Sequence, residues 1–394
     1  MYNWQHKDWP DFKFDGASID TELMKFMLKA GALKGMITAL PEAISTETIV
    51  QIMVAEAIKT SEIEGEIINR IDVMSSIRKN LGLPIAKEPK DKNAIGLSQL
   101  LIDVRNTYTQ PLTQSKILEW HNLLMGNNKR INAGQWRNGT APMLVISGSA
   151  SDPKVHFEAP PSKSIPKQMK GFIEWYNTSE ISSPIIKAAV AHLYFVSIHP
   201  FEDGNGRIGR AIAEKALSQG FDNPILFSIS KAIEENRADY YKALQQAQQK
   251  LEITKWIEWF SSIIMIAQDD AEKTIQFTIK KVKFFDKYDK SFNDRQRKVI
   301  NRILEEGDTG FKGGMNVNKY ISITNTSKAT ATRDLQELVA MNVFMIKGAG
   351  RATGYEINIS GVNDHFFVNV QDVVKIIETV SGKGIKGKSV QKWP

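Results

Sequence analysis

A twelve-residue run, His199 to Arg210, constrains this chain more than any other feature. It reads His-Pro-Phe-Glu-Asp-Gly-Asn-Gly-Arg-Ile-Gly-Arg. The apolar stretch Ile185 to Ile198 before it predicts a helix, capped by Ser183 and with Pro184 in its first turn, where a missing N–H is harmless. Ala211 to Leu217 after it predicts another. The run is therefore a loop between two helices, and its second half opens the second helix. The N–H groups of Gly204, Asn205 and Gly206 are then unpaired donors at a positive helix end. That is an anion site, and glycines let the backbone approach a phosphate closely. Arg207 and Arg210 are three apart on one helix face, and guanidinium forks match phosphate oxygens.

The rest of the composition excludes several other chemistries. The chain has no cysteine, which rules out disulfides and thiolate metal sites. Its six histidines show no His-x-x-His or His-Glu-x-x-His spacing, so a histidine-built zinc site is not expected. No apolar run is long enough to span a bilayer, and the first residues do not read as a signal peptide. A cytoplasmic protein with no membrane partner is expected. At 394 residues there is room for two or three domains. The net charge of +7 is uneven. Residues 271–394 hold 21 Lys and Arg against 13 Asp and Glu, a balance of +8, while residues 1–270 are close to neutral. A basic C-terminal third points to a nucleic-acid partner or to a solvated basic face.

Read in order, residues 1–20 are dense in aromatics (Tyr2, Trp4, Trp9, Phe12 and Phe14), which suits a segment anchored to a domain surface. Helices are expected over 20–33, 46–64 (capped by Ser45 or Thr46), 67–80, 93–108 and 112–124. Gly65 is a good residue for ending the second of these. Glu64 then lies at a helix C-terminus, where the dipole disfavours a carboxylate and a cationic partner is needed. Residues 143–146 and 155–157 predict a β-hairpin. His156 lies on it and reads as packed or solvated. A helix over 165–177 follows, and His192 reads as a hydrogen-bonded core residue. Another helix starts near Ser230 and carries Asn236, Arg237, Tyr240 and Tyr241, and residues 253–267 close the helical core.

The loop resembles the Fic family signature, His-Pro-Phe-x-x-Gly-Asn-Gly-Arg-x-x-Arg, at every fixed position. Thr60-x-x-x-Glu64-Gly65 is similar to that family's inhibitory motif, Ser/Thr-x-x-x-Glu-Gly/Asn, whose glutamate reaches the second arginine of the loop, here Arg210. The hairpin stands where the family has its flap, which holds a target segment by strand addition. Gly134-x-x-Arg137 stands where the family has a similar run. The resemblance implies a mainly α fold: an all-helical Fic core with a small β-hairpin flap. It also implies protein adenylylation, the transfer of AMP from ATP to a protein hydroxyl, with the protein itself among the targets. His199 is then the general base. Asp203 holds Mg²⁺. ATP is bound by Gly204, Asn205, Gly206, Arg207, Ile208, Gly209 and Arg210, with Asn236, Tyr240 and Tyr241 beside the base and ribose. The tyrosines read equally well as core aromatics. Glu64 is the inhibitory residue.

After the core, residues 292–304, 317–321 and 328–341 read as three helices, the last two joined by a turn at 324–327. The strands 343–346 and 354–359 then form a hairpin. This order resembles the winged helix family and implies a C-terminal winged helix-turn-helix domain. Duplex DNA would meet Lys328, Thr330 and Arg333 near the start of the third helix and Arg351 at the wing tip. Protein contact or dimerisation is the other use of such a domain. The expected organisation is a helical region over 1–90 with the inhibitory helix at 46–64, a Fic core over 91–270, a winged helix over 288–360 and a basic tail over 361–394. Two other functions fit the same residues: a nucleotide-sensing DNA-binding regulator, and a Fic enzyme that removes AMP. A homodimer is compatible with either.

Overall fold

Ile185 to Ile198 has no polar face, and a helix that is apolar all round must be buried. In the computed structural model it is. The structure describes residues 1–16, 20–149, 152–305, 311, 313–348 and 353–359. These hold fourteen α-helices and four short strands, and the chain divides into two compact units, Met1–Thr274 and Ile275–Pro394.

In the first unit, helices α1 (Asp20–Thr38), α2 (Glu42–Ile63), α3 (Arg70–Asn80), α4 (Lys92–Asn106), α5 (Gln114–Met125) and α6 (Ile165–Thr178) lead to α7 (Pro184–Ile198) and α8 (Asn205–Gly220). Apart from Lys187, every residue of α7 is buried. Each apolar side chain withdrawn from water in this way contributes about 1.5–3 kcal/mol. Helix α8 runs antiparallel to α7 at close range. A Cβ on Gly209 would lie 2.9 Å from Val196 Cγ1, and one on Gly220 would lie 2.3 Å from Pro184 Cγ. Ser183 caps α7 by accepting from the Ile186 N–H, as expected.

Strands β1 (Leu144–Ser149) and β2 (Asp152–Glu158) pair antiparallel, with a bulge between Val145 and Ile146. The N-terminal segment packs against this hairpin and α7. Tyr2 meets Phe157 edge-on at 5.1 Å, Trp9 meets Tyr194 at 5.2 Å, and Asn3 Nδ2 donates to Ser197 Oγ at 2.9 Å. The aromatic density of residues 1–20 is thus an anchor.

Several boundaries differ from the sequence expectation, among them the end of α1, at Thr38 rather than 33, and the start of α3, at Arg70 rather than 67. Helix α2 starts at Glu42 behind Pro41, ahead of Ser45. The helix near Ser230 is two: α9 (Ile229–Glu235) stops where Asn236 turns its side chain back to the Ala232 carbonyl, and α10 (Arg237–Ala247) starts anew. Helix α11 (Thr254–Tyr288) runs twenty-one residues past the expected end at 267. No Gly or Pro interrupts it, and its apolar spacing continues through Ala271, Ile275 and Ile279.

In the second unit, α12 (Asp294–Leu304) opens with a reciprocal capping box between Asn293 and Gln296. Asn325, with φ 51°, ends α13 (Val317–Thr324), and Ser327 caps α14 (Lys328–Ala340). Strands β3 (Phe344–Lys347) and β4 (Gly354–Ile357) form an antiparallel hairpin. Phe284, Val299, Tyr320, Leu335 and Phe344 share one apolar core. Asp334, nearly buried, ties three helices together: it accepts from Arg295 at 2.8 and 3.0 Å and from the Tyr320 hydroxyl at 2.8 Å. Lys328 and Arg333 are exposed and Thr330 is half-buried. Arg351 and the tail 361–394 lie outside the described residues. Among the described residues no helix is long and apolar enough to cross a membrane.

Candidate active site

His199 ends α7 in the left-handed region, φ 51°. A residue other than glycine rarely sits there, and something must hold it. Arg137 does. Its backbone N–H donates to the Pro200 carbonyl at 2.9 Å, and its Nε donates to the His199 carbonyl at 2.6 Å. Nη1 and Nη2 donate to Ser162 Oγ at 2.9 Å and to the Pro160 carbonyl at 2.5 Å, just beyond β2. The loop is thereby stapled to the base of the hairpin. The Val196 carbonyl lies 3.4 Å from His199 Nδ1. A carbonyl can only accept, so the proton sits on Nδ1 and the lone pair on Nε2. Burial, then the Arg137 guanidinium, push the imidazole pKa down to about 4. At neutral pH the ring is an unprotonated base.

The rest of the loop is equally constrained. Phe201 is buried, and the Asn205 side chain closes the turn by accepting from the Phe201 N–H at 3.0 Å and donating to its carbonyl at 2.9 Å. His121, on α5, stacks on Phe201 at 3.8 Å. Its Nδ1 accepts from the Gly134 N–H at 2.9 Å, so its Nε2 carries the proton and donates to the Asp203 carbonyl at 3.2 Å. Burial lowers its pKa to about 4. Gly204, with φ 83°, is the N-cap of α8, so the first N–H groups of that helix point out of the loop.

Both arginines of α8 meet carboxylates from the end of α2. Arg210 is 1% exposed. It donates to Thr60 Oγ1 at 2.8 Å, to the Thr60 carbonyl at 2.9 Å and to Glu64 Oε1 at 2.8 Å. Burial opposes the charge of Arg210, but Glu64, Tyr240 and Glu56 together outweigh it and raise the guanidinium pKa. Arg207, 6% exposed, pairs with Glu66 and lies 3.5 Å from Asp203 Oδ1. The Glu64 carboxylate rests directly on the α8 N-terminus. A Cβ on Gly206 would fall 2.1 Å from Glu64 Oε1, so only glycine leaves room for it.

A cavity of about 640 Å³ opens beside these groups. It gathers His199, Asn205, Gly206 and Glu64 with Tyr240, Tyr241 and Arg237 of α10, and with Val145, Ile146 and His156 of the hairpin. The size suits a nucleotide-sized ligand. Tyr240 is buried, and its hydroxyl is 3.0 Å from His192 Nε2. Tyr241 is 41% exposed, and its hydroxyl donates to the Ile63 carbonyl at 3.1 Å. Asp203, Gly204, Arg207 and Arg210 are not among the residues that line this cavity, and three further predicted residues are turned away. Ile208 is in the core, Gly209 abuts Val196, and Asn236 is turned to Ala232.

Among the described residues no group of three or more His, Cys, Asp or Glu could hold a metal ion. Asp203 is 49% exposed, with Oδ1 accepting from the Gly204 N–H at 2.5 Å. One such carboxylate fits an ion that takes most of its ligands from phosphates and water, the usual habit of Mg²⁺. Sequence reasoning assigned no role to His121, Arg137 or Glu66. Only the Gly134-x-x-Arg137 run hinted at one of them.

This geometry, a histidine base beside an arginine-lined helix N-terminus under a hairpin, defines the site of a Fic-type fold. Residues 111–217 match the Fic/DOC family, and residues 2–83 match a domain of unknown function, DUF4172. The chain is 27% identical over 193 residues to the protein adenylyltransferase Fic of Nematostella vectensis, covering 48% of this chain and 42% of that protein. It is 31% identical over 133 residues to protein adenylyltransferase fic-1 of Caenorhabditis elegans, covering 33% of this chain and 23% of that one. The chain therefore spans less than half of these relatives. A Fic family protein from Desulfovibrio desulfuricans G20 has a similar fold, with a TM-score of 0.50, 19% identity, and coverage of 89% of this chain and 98% of that one.

Proposed function

We propose that this protein is an adenylyltransferase that moves AMP from ATP to a side-chain hydroxyl of a protein target, and that Glu64 holds it off. The observation that carries this reading is the single cavity shared by His199 and the α8 N-terminus. The target hydroxyl attacks the α-phosphorus, and its proton passes to His199 Nε2. The bond from the α-phosphorus to the oxygen bridging to the β-phosphate breaks, and pyrophosphate leaves. The N–H groups of Asn205 and Gly206 hold the transferred phosphate. Arg207 and Arg210 neutralise the leaving phosphates. Asp203 holds Mg²⁺, which when bound offsets the phosphate charge. The Tyr241 face, half open to the cavity, suits stacking on adenine. The hairpin edge suits a target segment in extended form.

Labelled ATP and a cell lysate, with the products read by mass spectrometry, test this reading. His199→Ala should abolish AMP transfer while leaving the melting temperature in place. Loss of a general base costs on the order of a hundredfold to ten-thousandfold. Transfer within a few-fold of wild type would remove His199 from that role.

A second reading concerns residues 288–360, which we infer to be a winged helix that binds duplex DNA. Exposed Lys328 and Arg333 at the start of α14 support it, as does the +8 balance of residues 271–394. Phosphate contacts release counterions, so DNA binding by the full chain should weaken steeply with salt. Binding that is insensitive to salt, or unchanged in Lys328→Ala/Arg333→Ala, would favour a protein-contact role.

A further inference from the structure

Two carboxylates sit on the arginines of α8. They are placed by one device, the termination of α2. Gly65, with φ 78°, donates its N–H to the Glu62 carbonyl, and Glu66 donates its N–H to the Ser61 carbonyl, both at 3.0 Å. This is the paired hydrogen-bond pattern of a Schellman helix end. It fixes the backbone on both sides of Gly65. Glu64 reaches Arg210 at 2.8 Å, and Glu66 pairs with Arg207. Glu66 is also gripped from the other side: Asn93, in the first turn of α4, donates Nδ2 to its Oε1 at 2.7 Å. A side chain with charged bonds on both oxygens, in a place only 30% exposed, is held there.

We propose that Glu64-Gly65-Glu66 is a two-carboxylate lock, in which Glu66 closes Arg207 to phosphate independently of Glu64. The use of the lock rests on the adenylyl-transfer reading above; the contact itself does not. A polyphosphate needs the N–H groups of Arg207 that Glu66 occupies, and it also meets a fixed negative charge beside them. Both effects act against an anion at Arg207 whether or not Arg210 is free. Removal of Glu64 alone therefore opens one arginine of two. The conflict is selective for the leaving phosphates, because the N–H groups of Asn205 and Gly206 are not the donors Glu66 takes.

The test uses the full chain and inorganic pyrophosphate with Mg²⁺, read by calorimetry. The variants are Glu64→Gly, Glu64→Gly/Glu66→Gln and Glu64→Gly/Glu62→Gln. Glutamine keeps an oxygen for Asn93 and removes the charge. Glu62 lies at the same helix end but pairs with Lys59 at 2.6 Å, so its removal takes away one nearby charge without touching Arg207. Glu66→Gln should tighten pyrophosphate binding by about tenfold or more over Glu64→Gly, the scale of a charge-assisted pair, and Glu62→Gln by less than about twofold. Equal binding by Glu64→Gly and Glu64→Gly/Glu66→Gln would overturn the proposal, as would an equal gain from Glu62→Gln. The probe has no adenosine and no transfer is read. Pyrophosphate binding that follows Glu66 in a protein that transfers no AMP would therefore sink the adenylyl-transfer reading alone.

Discussion

Glu64→Gly should weaken the fold and strengthen the activity at once. Arg210 is 1% exposed and Glu64 28%. Removing one partner of a buried ion pair costs about 3–5 kcal/mol, because the other charge is left desolvated. Here the Glu64 position is partly open to water, and the two bonds from Arg210 to Thr60 persist, which reduces the cost to roughly 2–3 kcal/mol. For a domain of this size each kcal/mol moves the melting temperature by about 2–4 °C, so a fall of roughly 4–12 °C is expected without ligand. The same change clears the α8 N-terminus, where Glu64 Oε1 lies against Gly206. ATP can then place its phosphates for in-line attack. A misplacement of about 1 Å costs on the order of a hundredfold, and relief of it should raise self-adenylylation by a similar factor. Arg210→Ala should share the loss of stability without the gain, since a phosphate ligand goes with it. The assays are scanning fluorimetry of the unliganded variants and incorporation of labelled AMP, with Glu64→Gly/His199→Ala as the blank. A Glu64→Gly protein that melts within about 1 °C of wild type, less than half of 1 kcal/mol on that scale, and labels itself no faster would refute the reasoning.

Three further outcomes are expected. Arg137→Met should move the His199 titration, followed by ring-proton resonances, upward from about 4, since a cation beside the ring is lost; AMP transfer should fall with little change in ATP affinity, and Ser162→Ala should show a weaker version of both. Acid should destabilise the first unit between pH 6.5 and about 4. His121 and His192 are buried, and burial holds them to about 4 and about 3. The unfolded chain therefore binds protons that the native one does not, and each contributes a slope of up to about 1.4 kcal/mol per pH unit; urea midpoints that stay flat from pH 7.5 to 4.5 would contradict this. Asp334→Ala should destabilise the second unit by leaving the buried Tyr320 hydroxyl without its acceptor and untying Arg295 from α14, visible as faster hydrogen exchange in α12, α13 and α14 while the first unit is unchanged.

The sequence by itself determined the parts of this protein that depend on near neighbours. The stretch from Ser183 to Arg210 carries its own helix start and its own glycines at the opening of the next helix, so the loop and its anion-binding backbone were readable at once, whereas the left-handed turn at His199 was not. The hairpin and the helix-turn-helix order followed from period and turn residues in the same way. The Gly65 stop located Glu64 at a helix end in want of a cation, and the motif resemblance named Arg210 as that cation. Only the tertiary structure decided what lies between distant segments. Arg137 is 62 residues from His199, and Glu66 is 141 from Arg207. An arginine in a loop and a glutamate after a helix are ordinary surface residues until the packing of α2 and of the hairpin base against α8 and the His199 loop gives them partners. The split at Asn236 and the length of α11 were hidden for a related reason: one needs a side chain that turns back on its own helix, the other the absence of any breaker, and hydrophobic periodicity reports neither. Local backbone preference is written residue by residue, whereas a charge finds its partner only when the fold has removed the water between them.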